Sequence, residues 1–391
     1  MTQESPFFLT KVECPICKTI NEYETIKLGA YTERDRDTDF RPTDRTWRNP
    51  RYQAYDPLLY FTATCSNCLY TREFTQKYKD WKNDSYFKTY RLKVVKQKHL
   101  ELLAGSDSVI KMIGEKLDSV RYPGETAVLK LILAVIDENF NDKQNDLDLG
   151  RFYLRIGWLF RGMNEGVDPN EASLKGHLLD ISKRLSGLRG TLEGFNTQIE
   201  QVKNVLQLHV NDDRFSNEVK SQLMPLKDKY DNELDDILAT TKQLEQRLTN
   251  LNDVSGENLP AISKDSSGPG YFSHTDFSEF LSELSRKTEG IPVSEKQALT
   301  YAVDYYKKAF KNGKDIGKGN QQIQASYLIA ELSRRIGAFE QAKEYFNTTI
   351  RAGQEFVYRH RNDQSRTAMA RKILELAIEQ GRDNLSHVNN G

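Results

Sequence analysis

This 391-residue chain has no long apolar run and no excess of positive or negative charge, and each absence excludes a class of protein. No run approaches the ~20 apolar residues that a membrane helix needs. The first residues, MTQESPFFLTKVE, lack the basic start, apolar stretch and cleavage site of a signal peptide. Lysine plus arginine equals aspartate plus glutamate at 56 each, so no overall field attracts nucleic acid or an anionic membrane. We therefore expect a cytoplasmic protein without membrane contact.

Short catalytic motifs are also missing. The sequence contains no Gly-rich phosphate loop, no nucleophile elbow and no H-E-x-x-H motif. Its six histidines are scattered without the spacing of metal ligands. The sequence therefore favours a protein that is not an enzyme.

Cysteine is scarce, with four in the whole chain, but the four form two C-x-x-C pairs: Cys14 with Cys17, and Cys65 with Cys68. In a reducing cytoplasm such pairs are more often metal ligands than disulfides. Each pair supplies two sulfurs for a tetrahedral zinc site, and four thiolates leave no position for a reactive water. We predict one structural zinc ion (Zn2+). Buried reduced thiols and a redox dithiol are the alternatives.

Residues 1–75 are predicted to be a small β-rich zinc-binding module, because their aromatic and β-branched residues follow no helical period. The long segment 18–64 must then bring the two cysteine pairs together. In residues 76–166 apolar side chains recur at spacings of three and four, which predicts helices that begin a repeat scaffold.

The segment between the cysteine pairs contains alternating charges, RDRDTDF at residues 34–40. On a strand its aspartates would share one face, as in a hard-cation or substrate site. We favour pairing and capping within the loop over recognition of a ligand or partner, and both over catalysis. The residues that would serve recognition are Arg36, Asp37, Asp39 and Phe40.

Residues 72–98 are rich in basic and aromatic side chains. Lysines neutralise phosphates and aromatic rings stack on bases, so this pattern is the strongest indication of nucleic-acid binding in the chain. Lys77, Lys79 and Lys82 would make the contacts. The interpretation we favour is an amphipathic helix that buries its aromatic rings and joins the cysteine module to the helices.

The clearest periodicity lies in residues 167–252. Apolar residues alternate at three and four positions from Leu178 to Leu206, and again from Phe215 to Leu251. These two seams predict an antiparallel coiled-coil hairpin inserted into the scaffold. A linker with a short helix is expected at 253–293.

Residues 294–381 are predicted to be a tetratricopeptide-like helical repeat, because small residues and one aromatic recur at its spacing. A second repeat of this kind would be split in the sequence. Its first helix contains Gly157, its second helix carries Ala298, Ala302 and Tyr306, and the insertion lies between them. The last residues, 382–391, are expected to be a disordered tail. The fold class is thus mainly α with a small β-rich module.

Three motifs, CPIC, RDTDFRP at Arg36–Pro42 and DPLLYFTATCSNC at Asp56–Cys68, resemble those of the bacterial family called domain of unknown function 2225 (DUF2225). The resemblance covers about 1–165 and 294–380, and excludes the insertion. It implies that the four cysteines are the ligands, and it supplies no activity. Family members tend to carry glycine after each cysteine pair, where this chain has Lys18 and Leu69. Those two turns are therefore expected to be strained.

These observations favour a non-enzymatic scaffold with a structural zinc ion. Stacked helices offer a concave surface for a protein partner. The coiled-coil hairpin predicted at 167–252 is suited to pairing with a helix of another protein or of a second copy of this chain. The alternative is a nucleic-acid-binding protein that uses the zinc module and residues 72–98.

Overall fold

The structure, a computed structural model, describes residues 5–49, 52–53, 55–119, 122–141, 143–164, 216–257 and 274–389, together with part of 185–204. The chain divides into two compact units. The larger unit comprises residues 1–48, 55–170 and 268–391, and the second comprises 49–54 and 171–267.

Three antiparallel hairpins form the N-terminal part of the larger unit, as the prediction of a β-rich module required. The paired strands are β1 (Phe7–Glu13) with β2 (Ile20–Ile26), β3 (Tyr31–Glu33) with β4 (Arg45–Trp47), and β5 (Thr62–Thr64) with β6 (Thr71–Glu73). The first and third hairpins carry the two cysteine pairs in their turns.

Helices make up most of the remaining described chain, so the protein is mainly α. In order they are α1 (Gln76–Lys79), α2 (Leu92–Ala104), α3 (Val109–Gly114), α4 (Pro123–Asn139), α5 (Asp146–Asn164), α6 (Asn217–Glu257), α7 (His274–Lys287), α8 (Glu295–Asn312), α9 (Asn320–Arg335), α10 (Phe339–Arg359) and α11 (Gln364–Asn389). Within the ranges that the structure describes, no helix is long and apolar enough to cross a membrane.

Helix α4 lies at the centre of the larger unit. Its sequence is apolar around most of its circumference, as expected of a helix covered on several sides. Its side chains from Thr126 to Glu138 are buried except for Lys130, whose Nζ donates to the Leu59 carbonyl at 2.8 Å. The helix also contacts the hairpin of β5 and β6 and helix α5, so it joins the cysteine-bearing part to the helical part.

Helix α5 packs against α8, the contact that the split repeat unit required. Gly157 allows the close approach, because a Cβ atom there would lie 2.6 Å from Leu299 Cδ2. Gly150 faces the ring of Tyr306 in the same way. The structure thus shows that α5 and α8 are in contact. The assignment of this pair to a tetratricopeptide-like repeat stays a prediction.

Helices α9, α10 and α11 share a second core of small and aromatic side chains. Ala330, Ala342, Ala370 and Ala377 are fully buried around Phe346. Small residues let the helix backbones approach one another, and one ring fills the remaining space.

Two expectations about the helices differ from the structure. Residues 72–98 do not form one amphipathic helix: after β6, which ends at Glu73, α1, a 3-10 turn at Trp81–Asn83 and a π-helical segment at Phe87–Arg91 precede α2. The chain has to bend there because three separate aromatic side chains, Tyr78, Trp81 and Phe87, point into one core. The tail expected to be disordered from 382 continues α11 to Asn389, anchored by the buried Asn384, whose Nδ2 donates to the Phe339 carbonyl.

The second unit contains the 41-residue helix α6. The described positions between 185 and 204 are also helical. Five of the predicted seam residues in this unit are 40–58% exposed: Leu188, Phe195, Val219, Ile237 and Leu244. Much of the first predicted seam, and residues 258–273 of the linker predicted at 253–293, lie outside the described residues, so the antiparallel hairpin stays a prediction.

Candidate metal centre and the contacts around it

The first cysteine pair lies in the turn between β1 and β2. The seven paired residues of each strand bring Glu13 opposite Ile20, so the CPIC segment has to reverse the chain. The Cys14 backbone N–H donates to the Thr19 carbonyl at 2.8 Å, and the Lys18 N–H donates to the Cys14 carbonyl at 3.0 Å. Lys18 adopts φ of 68°, in the left-handed region.

The second pair repeats this geometry between β5 and β6. The Cys65 N–H donates to the Tyr70 carbonyl at 2.9 Å, and the Leu69 N–H donates to the Cys65 carbonyl at 2.9 Å. Leu69 has φ of 65°. The strained backbone expected after each pair is therefore present, and the two hairpins offer their sulfurs in the same way.

The four sulfurs of Cys14, Cys17, Cys65 and Cys68 meet in one cluster. Their Sγ atoms lie within 4.8 Å of one another, with Cys14 to Cys68 at 3.6 Å and Cys17 to Cys65 at 3.5 Å. A tetrahedron with metal–sulfur bonds of about 2.3 Å has edges of about 3.8 Å. Cys14, Cys65 and Cys68 are buried and Cys17 is half-buried. The cluster can therefore hold one metal ion.

Hydrogen bonds among the thiols split their pKa values. A bond with Cys65 raises the pKa of Cys14 to about 12, and a bond with Cys14 raises the pKa of Cys68. The hydrogen bond between Cys14 and Cys65 lowers the pKa of Cys65. Crowded sulfurs thus resist simultaneous ionisation, and a divalent cation at their centre would remove that penalty by favouring every thiolate.

Asn21 joins the two hairpins beside the sulfurs. Its Nδ2 donates to Cys65 Sγ at 3.4 Å, and its Oδ1 accepts from the Ser66 N–H at 2.8 Å. A donor to a sulfur favours the thiolate form and fixes the orientation of the ligand. Sequence reasoning missed Asn21, and its position one residue into β2 is the only signal that it offered.

His99 and Asp137 connect the third hairpin to the helices. His99 on α2 is fully buried, with Nε2 2.8 Å from the Cys68 carbonyl oxygen and Nδ1 2.6 Å from Asp137 Oδ1. Asp137 Oδ2 accepts from the Thr71 N–H at 2.7 Å. The sequence did not single out His99, because it lacks the spacing of a metal ligand. Its role is to hold the hairpin that carries Cys65 and Cys68 against α4.

The RDTDF segment is bound by the helices of its own chain. Asp39 is fully buried, and its Oδ2 accepts from Arg161 Nη2 at 2.8 Å and from Trp158 Nε1 at 3.1 Å. Asp37 accepts from Arg161 Nη1 at 2.9 Å and from Arg335 Nη2 at 2.6 Å. Asp37 and Asp39 do not form a hard-cation site with the neighbouring Asp35, because Asp37 and Asp39 are paired with guanidinium groups.

Backbone and ring contacts complete this docking. The Tyr327 hydroxyl donates to the Thr38 carbonyl at 2.9 Å, and the Phe40 ring lies 5.4 Å from the Tyr327 ring. Phe40 has φ of 67°, which closes a tight loop from Asp37 to Arg41. Arg36, by contrast, is 60% exposed and lies 3.9 Å from Glu33.

Arginine side chains from two helices balance the negative charge of the RDTDF segment. Burial acts to raise the pKa of Asp37, but the charges of Arg335 and Arg161 and the Thr38 N–H hold it below its ordinary value of 3.8. Arg161 Nε also donates to Glu295 at 2.7 Å. One guanidinium thus joins the N-terminal loop to α5 and α8.

The three lysines proposed for nucleic acid have different surroundings. Lys77 is exposed on α1, whereas Lys82 donates to Glu13 at 2.7 Å and Lys79 lies 4.7 Å over the Phe74 ring. The aromatic residues Tyr78, Trp81 and Phe87 share a core with the cysteines, and Trp81 Nε1 donates to the Glu13 carbonyl. These rings therefore join the cysteine module to α2.

Four cysteines on two hairpins, joined to a mainly helical body, form a cluster that could hold one metal ion. The chain matches the family described as "Uncharacterized protein conserved in bacteria (DUF2225)" over residues 7–208 and 284–373, and it belongs to that family. The match continues through residues 166–208, so the expectation that the family pattern ends near 165 is wrong. Searches of curated proteins and of solved structures give no match.

Proposed function

We propose that this protein is a non-enzymatic, protein-binding scaffold whose N-terminal module is stabilised by one structural zinc ion. The four-sulfur cluster supports the zinc site of this proposal, because thiolate sets of this size and spacing suit tetrahedral zinc. All four sulfurs would be occupied as ligands, which fits a role in folding and leaves no site for a reactive water.

The exposed seam of the second unit carries the binding part of the proposal. Ile237 and Leu244 lie seven residues apart on α6, at the spacing of a coiled-coil seam, and both are about half exposed. Apolar side chains at this spacing in solvent suit a second helix, from another copy of the chain or from a partner protein.

Charged substitutions on the seam test this proposal. We expect the full-length protein to self-associate or to capture a partner in a pull-down, and Ile237→Glu with Leu244→Glu to abolish that interaction. The matched control places the same charges off the seam, at the exposed Thr240 and Gln243 of α6. Equal behaviour of the two double variants, or no association by either assay, would reject the seam as the binding surface.

Nucleic-acid binding is a second candidate because two tyrosines, one just before the π-helical segment and one within it, are exposed. The rings of Tyr86 and Tyr90 lie 5.3 Å apart, and the neighbouring Lys88 and Lys93 are exposed. Paired rings with lysines around them suit single-stranded bases and phosphates. Fluorescence anisotropy with single-stranded RNA tests this candidate: salt-dependent binding that weakens in Tyr86→Ala and in Lys77→Gln supports it, and its absence at low salt removes it.

A further inference from the structure

A cavity of about 470 Å³ lies in the larger unit between the loop at residues 33–42, α5 and the start of α9. Its size falls within the range of about 300–1,000 Å³ that is usual for small-molecule sites. Apolar side chains form much of its wall, including Phe40, Leu154, Trp158 and Leu328. The cysteines and the exposed seam of α6 are not part of it.

Arg155 brings to this cavity a guanidinium group that has no ion-pair partner among the described residues. Its guanidinium lies 4.2 Å over the Phe61 ring and 5.9 Å from the Trp158 ring, and Nη1 donates to the Arg151 carbonyl at 3.0 Å. Among the described residues, no carboxylate lies within salt-bridge distance of it. Burial lowers the pKa of Arg155, and the nearby charge of Arg151 lowers it further.

The other arginines at least partly buried in this unit show how unusual that arrangement is. Among the eight that the structure describes, Arg91 has a carboxylate oxygen at 3.9 Å and six have one at 2.6–3.5 Å: Arg45, Arg72, Arg151, Arg161, Arg334 and Arg335. A guanidinium withdrawn from water is costly without an anion beside it. Arg155 instead lies between aromatic rings, which compensate only part of that cost.

The acidic residues of the cavity wall are already occupied or lie in solvent. Asp39 accepts from Arg161 and Trp158, Glu33 lies 3.5 Å from Arg45, and Asp315 is exposed. The half-buried amide of Gln324 also lines the cavity and makes no hydrogen bond within the described part of the chain. A guanidinium and an amide are therefore available to an anionic ligand.

We propose that this cavity binds a small organic carboxylate with an apolar body, and that Arg155 is the residue that holds its carboxylate. The carboxylate supplies the missing counter-charge, and the apolar body covers the side chains of Phe40, Trp158 and Leu328. The occupant is either a free organic acid or the terminal carboxylate of a peptide, because both present the same group. Binding would stabilise the fold, since it compensates a charge that the folded chain holds away from water.

Ligand-observed NMR on the full-length protein tests the proposal. The probes are 3-phenylpropanoate, indole-3-acetate and hexanoate, molecules of about ten non-hydrogen atoms that suit a cavity of this size. Each acid is compared with its primary amide, which has the same shape without the charge. We expect at least one acid to bind at least tenfold more tightly than its amide, and to raise the melting temperature. N-acetyl-alanyl-phenylalanine against its amide distinguishes a chain terminus from a free acid.

Two variants locate the site. Arg155→Gln should weaken binding of the acids at least tenfold, whereas Arg351→Gln, the same change at an exposed position on α10, should leave it unchanged. If Arg155→Gln fails to fold, judged by its melting curve, Arg155→Lys keeps a charge but loses the planar guanidinium and should weaken binding less. Equal binding of acids and amides, no acid binding, or unchanged binding in a folded Arg155 variant would overturn the proposal.

Discussion

Lys18 and Leu69 each follow a cysteine pair in a left-handed backbone conformation. A side chain at such a position costs roughly 1–2 kcal/mol relative to the right-handed form. For Leu69, packing against Gly114 and the core of the larger unit offsets part of this strain. For Lys18 the offset is smaller, since the contact is that of its Nζ over the Trp81 ring at 4.3 Å.

Lys18 therefore offers a direct test of strain at the metal centre. Both Lys18→Gly and Lys18→Ala remove the contact with Trp81, but only glycine relieves the left-handed strain. We expect Lys18→Gly to be more stable than Lys18→Ala by about 1 kcal/mol in urea unfolding. Equal stability of the two variants would mean that the turn does not hold its left-handed conformation in solution.

Arg161 and Asp39 should contribute strongly to the stability of the larger unit. Both are buried, and Arg161 donates to three carboxylates. Arg161→Met leaves the buried Asp39 carboxylate without its closest guanidinium group, which we expect to lower the free energy of unfolding by about 3–5 kcal/mol. The control, Arg36→Gln in the same segment, should change it by less than about 0.5 kcal/mol because Arg36 is exposed. Comparable losses in both variants, measured by urea unfolding, would contradict the role of burial.

At the scale of single elements, the close contact of α5 with α8 depends on a missing side chain at residue 157. Gly157→Ala places a methyl group 2.6 Å from Leu299 Cδ2, and Leu299 is too buried to move freely. We expect a loss of about 1–3 kcal/mol from overpacking. Gly353→Ala on α10 is the matched control, because its Cβ would meet Leu374 Cδ1 at an ordinary 3.5 Å. The control should gain about 0.5–1 kcal/mol from helix propensity, and a similar gain at 157 would show that α5 and α8 are not in close contact.

Sequence patterns predicted the contacts that depend on local spacing. The C-x-x-C pairs predicted the cysteine cluster, and the small residues Gly157, Ala298 and Ala302 predicted that α5 meets α8 across the intervening chain. Each of these patterns uses residues whose chemistry or size suits few alternative structures.

Contacts between distant residues had no such signal. His99 and Asp137 lie on different helices, and nothing in either local sequence shows that they meet beside Cys68. The alternating charges of RDTDF predicted ion pairs, but their partners Arg161 and Arg335 lie more than 100 residues away. The aromatic residues at 78–87 suggested one helix face, whereas burial in a common core requires the chain to bend there.

At the scale of the whole molecule, the cysteine cluster and the helices of the larger unit depend on each other. His99 binds the turn that carries Cys68, and Arg161 binds the loop between the two cysteine pairs. Loss of metal should therefore destabilise α2 and the RDTDF contacts as well as the hairpins. Helix α6 carries none of the four cysteines, so we expect it to keep its helical content when the metal is removed.

Metal content of the purified full-length protein, measured by mass spectrometry, tests the proposed zinc site. We expect about one zinc ion per chain for the wild type, since four thiolates form one tetrahedral site. In Cys65→Ser with Cys68→Ser we expect the zinc to be lost and the larger unit to unfold at lower urea concentration. Ser66→Ala, in the same turn, is the control that should keep its metal. A folded wild type without zinc, with four titratable thiols, would contradict the account.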